Sequence, residues 1–248
     1  SQDGTRDIPP LPGKINAAYA FGGAPLLIQT IEEKTNLQID HYIEVSFAGF
    51  TGIVDALGGI EVCSKVAIDD PKSHLVLAAG THTLNGIEAL KYVRTRDFDG
   101  RGDIGRMERQ QQFVGAVLRK ATSSGVLLNP IKLTNFYNAA ISSVKMDAGV
   151  TKNDLLTLAK QLRNLSSGNV RTLTVPISNP NGRHPTAGSV VIWDDVLAAN
   201  LWTKIRNDEA LLETVKPTAS ASAKPVTIDK FKTKTAADNP CAAIDSRA

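Results

Sequence analysis

The residues best suited to chemistry stand in two short runs. Tyr92-Val93-Arg94-Thr95-Arg96 is followed, across an Asp- and Gly-rich loop, by Asp103-Ile104-Gly105-Arg106-Met107-Glu108-Arg109-Gln110. Two arginines close one predicted helix, and an Asp, an Arg and a Gln open the next. A guanidinium is a planar fork of donors that stays charged at any working pH, and paired forks suit phosphate or diphosphate. A helix N-terminus adds partial positive charge and free N–H groups. Arg94, Arg96, Asp103, Arg106 and Gln110 are therefore the candidate catalytic residues of a polyphosphate site. On a helix beginning near Asp103 or Gly105, Arg106 and Gln110 share a face. Met107, Val114, Leu118 and Ala121 are expected on its buried side, and Arg109, out of phase, points elsewhere and is expected to matter little. The alternative is that Arg94, Arg96 and Arg106 pair with Asp97, Asp99, Asp103 and Glu108 on a solvated surface.

Other chemistries have little support. His41, His74, His82 and His184 lack a metal-ligand spacing such as HExxH, and no CxxC occurs. A net charge of +3 is too small for a polyanion-coating protein, and aromatics at 5% are not interleaved with the basic residues. No nucleic-acid partner is expected. No run of eighteen apolar residues is present to span a membrane or form a signal peptide.

The elements that must position these residues alternate. Residues 1–13 read as a Pro- and Gly-rich lead-in, 24–35 as a helix, 39–47 as a strand, 47–57 as a helix stopped by Gly58-Gly59, and 60–63 as a strand. A loop holding Asp69-Asp70-Pro71 precedes a strand near 81–84 and a helix at 87–94. Helices are expected at 105–122, 130–143 and 152–165, the last opened by an acidic capping box of Thr151 and Asp154. A strand at 170–175 and an amphipathic helix at 191–205 follow, with Trp193, Val196, Leu197, Leu201 and Ile205 inward. Residues 213–248 are rich in Ala, Ser, Thr and Lys and read as a tail unable to fold alone. The alternation predicts an α/β layer fold in a single domain, 14–212.

The pattern R-x-R, a short loop, then D-x-x-R-x-x-x-Q resembles the active-site signature of the LytR-CpsA-Psr family, matched by Arg94, Arg96, Asp103, Arg106 and Gln110. Lys14-Ile15-Asn16-Ala17-Ala18-Tyr19, Ile39-Asp40-His41-Tyr42-Ile43-Glu44 and Val54-Asp55-Ala56-Leu57-Gly58-Gly59-Ile60-Glu61-Val62 resemble further family segments, as does the stretch 80–93. The resemblance implies a central, mostly mixed β-sheet between helices on both faces. It implies a phosphotransferase that moves a glycopolymer from a polyprenyl diphosphate carrier onto peptidoglycan or a surface protein, with polyprenyl-pyrophosphatase activity. Arg94, Arg96 and Arg106 would grip the diphosphate, Gln110 would position a phosphate oxygen, and Asp103 would orient an arginine or accept the acceptor's proton. Lys14 and Asn16 would contact substrate, and Mg2+ would be the cofactor.

Family members usually carry two apolar strands with Asp and Pro-Arg-Asp steps before the Lys-Ile-Asn segment. This chain starts in what reads as the loop after them, so the metal ligands are expected outside it. An upstream membrane anchor and an extracytoplasmic location are implied as well. Cys63 and Cys241 fit such an oxidising compartment and are expected to be bonded, pinning the tail; two free thiols, with Cys63 as a core residue, are the alternative. Lipid binding implies a greasy tunnel, with Leu118, Leu127, Leu128, Ile131, Phe136 and Ile141 as wall or as ordinary core. A different class of function stays open beside the enzyme: a non-catalytic polyprenyl-diphosphate or cell-wall glycan binding module.

Overall fold

The computed structural model describes residues 13–123, 134, 144–151, 153–155, 157, 161, 169–215, 226–229, 231–235 and 241. Helix α1 (Ile15–Thr35) is bent where Gly22 and Gly23 leave helical geometry, Gly23 at a φ of 63°. Pro25 starts its second half, where a missing N–H costs nothing. The expected strand at 39–47 shrinks to β1 (Ile43–Val45). Two bonds bound it: the Tyr42 N–H donates to the carboxylate of the sequence-distant Asp147, and the Ser46 hydroxyl accepts the Gly49 N–H to cap α2 (Phe47–Ala56).

β2 (Ile60–Ser64) follows, then β3 (Ile68–Asp70) and β4 (Leu75–Leu77) in the stretch expected to be loop, then β5 (Gly80–Leu84). Asn85 and Glu88 form a reciprocal capping box on α3 (Gly86–Arg94), and α4 (Gly102–Ser123) carries the second candidate run. β6 (Val144–Met146) pairs with β1. Residues 153–155, 157 and 161 are helical, and the Thr151–Asp154 box that opens them is formed in both directions. The helix expected at 130–143 lies outside the described residues, apart from helical Thr134.

β7 (Arg171–Thr172), β8 (Ile177–His184) and β9 (Gly188–Trp193) come next, then α5 (Asp195–Arg206). The helix expected at 191–205 is corrected here. Its first three residues extend the β8–β9 hairpin, and the Asp194 carboxylate accepts the Leu197 N–H to start the helix only at Asp195. The expected inward set changes with it: Val196, Leu197 and Ile205 are exposed, while Ala198 and Leu201 are buried. The tail is no bare linker either, since β10 (Glu213–Val215) pairs with β11 (Val226–Ile228) and β12 (Lys234–Thr235) pairs with β7.

The α/β class holds. Among the described residues the strands pair two by two, every pair antiparallel, where one mixed central sheet was expected. The chain divides into two compact units, Ser1–Asp40 with Thr174–Lys232 and His41–Leu173 with Thr233–Ala248. In the first, the Arg206 guanidinium donates to the carbonyls of Thr35 and Asn36 at the C-terminus of α1, where a cation complements the helix dipole. Trp193 packs at a tilt against Trp202 in the same unit, ring centroids 5.6 Å apart.

The second unit holds the main core. Val54, Leu57, Ile60, Val62, Ile68, Leu75, Leu84, Ala89, Tyr92, Phe113 and Ala116 bury together, each large side chain contributing about 1.5–3 kcal/mol. α2 and α3 cross so closely that a Cβ on Gly86 would lie 2.4 Å from the Thr51 carbonyl oxygen, which only glycine permits. Cys63 and Cys241 are bonded across 178 residues with Cα atoms 5.6 Å apart, as expected of the pair.

Candidate active site

Both candidate runs fall in the second unit, at the end of α3 and the start of α4. α3 stops at Thr95, which turns to extended geometry while its hydroxyl donates to the Lys91 carbonyl. The chain beyond it is held by Asp70. This buried carboxylate accepts the N–H groups of Arg96 at 2.7 Å, Asp97 at 3.1 Å, Lys72 at 2.8 Å and Ser73 at 3.1 Å. Burial by itself would raise the Asp70 pKa; the four N–H bonds more than offset that and take it down to about 2. Asp70 thus positions the Arg-x-Arg segment, a role missed in the sequence. Its local half was detectable, because an Asp before Pro-Lys-Ser accepts readily from the N–H groups two and three residues on.

Arg96 and Arg106 converge. Arg96 Nε lies 3.5 Å and Arg106 Nη2 3.0 Å from one atom, Asp103 Oδ1, so a single carboxylate oxygen brings the two guanidiniums together. Arg96 also touches Asp97, which pairs with Lys72. All these groups are substantially open to solvent, and each guanidinium has five N–H donors, so donors remain on both forks for an incoming anion. The arrangement can clamp a phosphate or diphosphate while Asp103 sets the spacing of the forks.

The other expected members make contacts of their own. Arg94 lies over the Phe47 ring, 5.2 Å from its centroid. Gln110 donates its amide to the Val93 carbonyl at 3.1 Å and so ties α4 to the last turn of α3. Lys14 and Asn16 belong to the first unit, Lys14 as the N-cap of α1 and Asn16 as an exposed residue of its first turn. Leu118 is half-buried on α4, while Leu127, Leu128, Ile131, Phe136 and Ile141 lie outside the described residues. His41 meets Asp147, His82 meets the Ala78 carbonyl and His184 meets Thr186, so three histidines have partners away from the arginines.

Arg109 corrects the expectation that it matters little. It is buried, donates to Asp99 at 3.0 Å and to the Thr95 carbonyl, and stacks 4.7 Å over Phe98. Burial pushes its pKa down from the ordinary arginine value while the Asp99 charge opposes that, and arginine stays charged regardless. Asp99 would be raised by burial but is held below the usual carboxylate range by bonds from Arg101 and the Arg109 charge. A Cβ on Gly105 would come within 2.9 Å of the Asp99 carboxylate and 3.2 Å of Arg109 Nη1, so glycine leaves room for the pair. The buried side of α4 carries Phe113, Ala116 and Arg109, whereas Val114, expected inward, is exposed.

Similarity to known proteins agrees with this motif order. The LytR_cpsA_psr family model matches residues 5–207. The probable cell wall biosynthesis protein LcpB of Corynebacterium glutamicum is 39% identical over 193 residues, 78% of this chain and 45% of that protein. LcpA of the same organism is 40% identical over 168 residues, 68% of this chain and 32% of that protein. The chain therefore spans less than half the length of these two curated relatives. Among solved structures, B. subtilis TagV superposes with a TM-score of 0.68 at 26% identity, covering 82% of this chain and 78% of that one. With the family model covering most of the chain and the arginine–aspartate clamp at the family's signature positions, this chain belongs to the LytR-CpsA-Psr family.

Proposed function

We propose that this domain is a phosphotransferase that moves a glycopolymer from a polyprenyl diphosphate carrier onto a hydroxyl of peptidoglycan or a surface protein, at the outer face of the membrane. The observation that carries the reading is the pair Arg96 and Arg106 on one oxygen of Asp103. Family membership supports it. So does a Bacillus cereus relative named polyisoprenyl-teichoic acid--peptidoglycan teichoic acid transferase TagU, 36% identical over 153 residues, 61% of this chain and 47% of that protein.

In this reading the acceptor hydroxyl oxygen attacks the sugar-side phosphorus, the bond from that phosphorus to the bridging oxygen breaks, and polyprenyl phosphate leaves, taking up the hydroxyl proton. Phosphoryl transfer is won mostly by positioning and by offsetting charge on the equatorial and leaving oxygens, which two guanidiniums supply. Asp103 holds the forks at a fixed spacing, and Asp70 holds the backbone from which Arg96 projects. Arg94 and Gln110 join the clamp in this proposal through the family signature, and Lys14 and Asn16 enter it only through their match to the family's Lys-Ile-Asn segment.

Mg2+ is not fitted by the residues at hand. No group of three or more His, Cys, Asp or Glu is placed to hold a metal among the described residues, and Asp103 already serves two arginines. The second reading is a binding module that grips a lipid diphosphate without cleaving it. Incubating the purified protein, with and without added magnesium, with a polyprenyl diphosphate-linked saccharide separates the two. Release of polyprenyl phosphate, lost in Arg106→Ala, supports the transferase; tight binding with no release under either condition supports the module.

A further inference from the structure

A cavity of about 590 Å³ opens on the side of α4 turned away from the arginine pair, a volume within the range of small-molecule sites. At 100° per residue, Glu108, Gln111, Gln112 and Gly115 project roughly opposite Arg106 and Gln110. Its other walls include the Cys63–Val66 run leaving β2, Phe98, Asp99 and Arg101 of the loop before α4, Thr172 of β7, and Lys234 and Thr235 of β12. The disulfide joins two of these walls, since Cys63 lines the cavity and Cys241 follows β12.

The charges on the lining do not balance. Lys65, Arg101, Arg109 and Lys234 face only two carboxylates, Asp99 and Glu108, a surplus of two positive charges. Arg109 and Arg101 share Asp99, and Arg101 and Lys234 share Glu108. Lys65 is exposed and makes no ion pair among the described residues. Surplus positive charge on a cavity wall favours an anionic ligand.

The rest of the lining limits what carries that anion. Gln112 and Thr172 add amide and hydroxyl groups, and Phe98 and Tyr92 add ring surface. A bare ion would leave those walls unused, and a lipid would leave the charges unpaired. We propose that this cavity is a second binding site, separate from the arginine pair, for a sugar or short saccharide that carries an acidic group.

The test is calorimetric titration of the full chain with trigalacturonate, with maltotriose as the neutral counterpart and inorganic phosphate as the bare anion. Trigalacturonate should bind saturably and maltotriose should not. Lys65→Ala should weaken binding about tenfold, the size of one charge-assisted contact, with a smaller loss in Gln112→Ala and none in Arg106→Ala. Absence of saturable binding overturns the proposal. Loss in Arg106→Ala with Lys65→Ala unaffected overturns it too, by placing the saccharide on the arginine pair, and phosphate displacing trigalacturonate at equal concentration reduces the site to an ion site. No lipid diphosphate is in the cell, so failure of the transfer reaction leaves this measurement unaffected.

Discussion

Arg106 and Arg109 stand three residues apart on α4 and live in opposite environments. Arg106 is about one-third exposed and shares Asp103 with Arg96, whereas the Arg109 side chain is 6% exposed and is locked to Asp99, the Thr95 carbonyl and the Phe98 ring. The first keeps donors toward solvent where an anion can reach them. The second spends its donors on the fold. Identical chemistry is thus divided by helical phase, and an arginine's exposure, more than its presence in a motif, marks it for substrate.

The contrast can be broken from outside α4 first. Reducing Cys63–Cys241 frees a loop closed across 178 residues, worth about 5 kcal/mol in the chain-entropy treatment. Thermal and denaturant melts with and without reductant should show a large loss; coincident melts would mean that the tail contributes little to the buried side. Within the helix, Arg109→Ala should cost about 3–5 kcal/mol of unfolding free energy by leaving Asp99 buried with a weakened set of partners and the Thr95 carbonyl without this donor. A chemical denaturation curve reads this directly, and a wild-type midpoint would sink the assignment.

Arg106→Ala should behave the other way, with an unchanged melt and transfer slowed about ten- to a hundredfold, the size of one charge-assisted contact of about 1.5–3 kcal/mol made in the transition state. Equal loss of stability in both variants would erase the distinction. The smallest effect is expected at Asp70. Its folded pKa of about 2 lies below the ordinary 3.8, so it contributes about 2 kcal/mol above roughly pH 4, and this is lost as pH falls toward 2. Asp70→Asn should flatten the acid limb of the stability profile and, by loosening the backbone at Arg96, lower the transfer rate with little change in substrate affinity. An acid limb identical to wild type would remove Asp70 from the positioning role.

Much of this was legible in the sequence because it is local. Spacing on α4 separated Arg106 from Arg109, the Thr151–Asp154 box is short-range chemistry, and the Arg-x-Arg run does end a helix. Where local signals compete, the sequence points two ways. Val191-Ile192-Trp193 fits a helical stripe as well as a strand, and the Asp194 cap decides between them. Ile68-Asp69-Asp70 is too short and too acidic to read as a strand until Leu75–Leu77 pairs with it.

By itself the sequence determined the helices that follow residues 46, 85 and 101, the Thr151–Asp154 box, the order of the signature residues and, with only two cysteines, which sulfurs can bond. Only the tertiary structure decided which arginine lies buried, that a carboxylate 26 residues upstream anchors Arg96, and that β12 returns to β7 beside a charged cavity. The physical reason is range. Dihedral preference and helical phase act within a few residues, while burial and the partners of a buried charge depend on segments that meet only after the chain has folded.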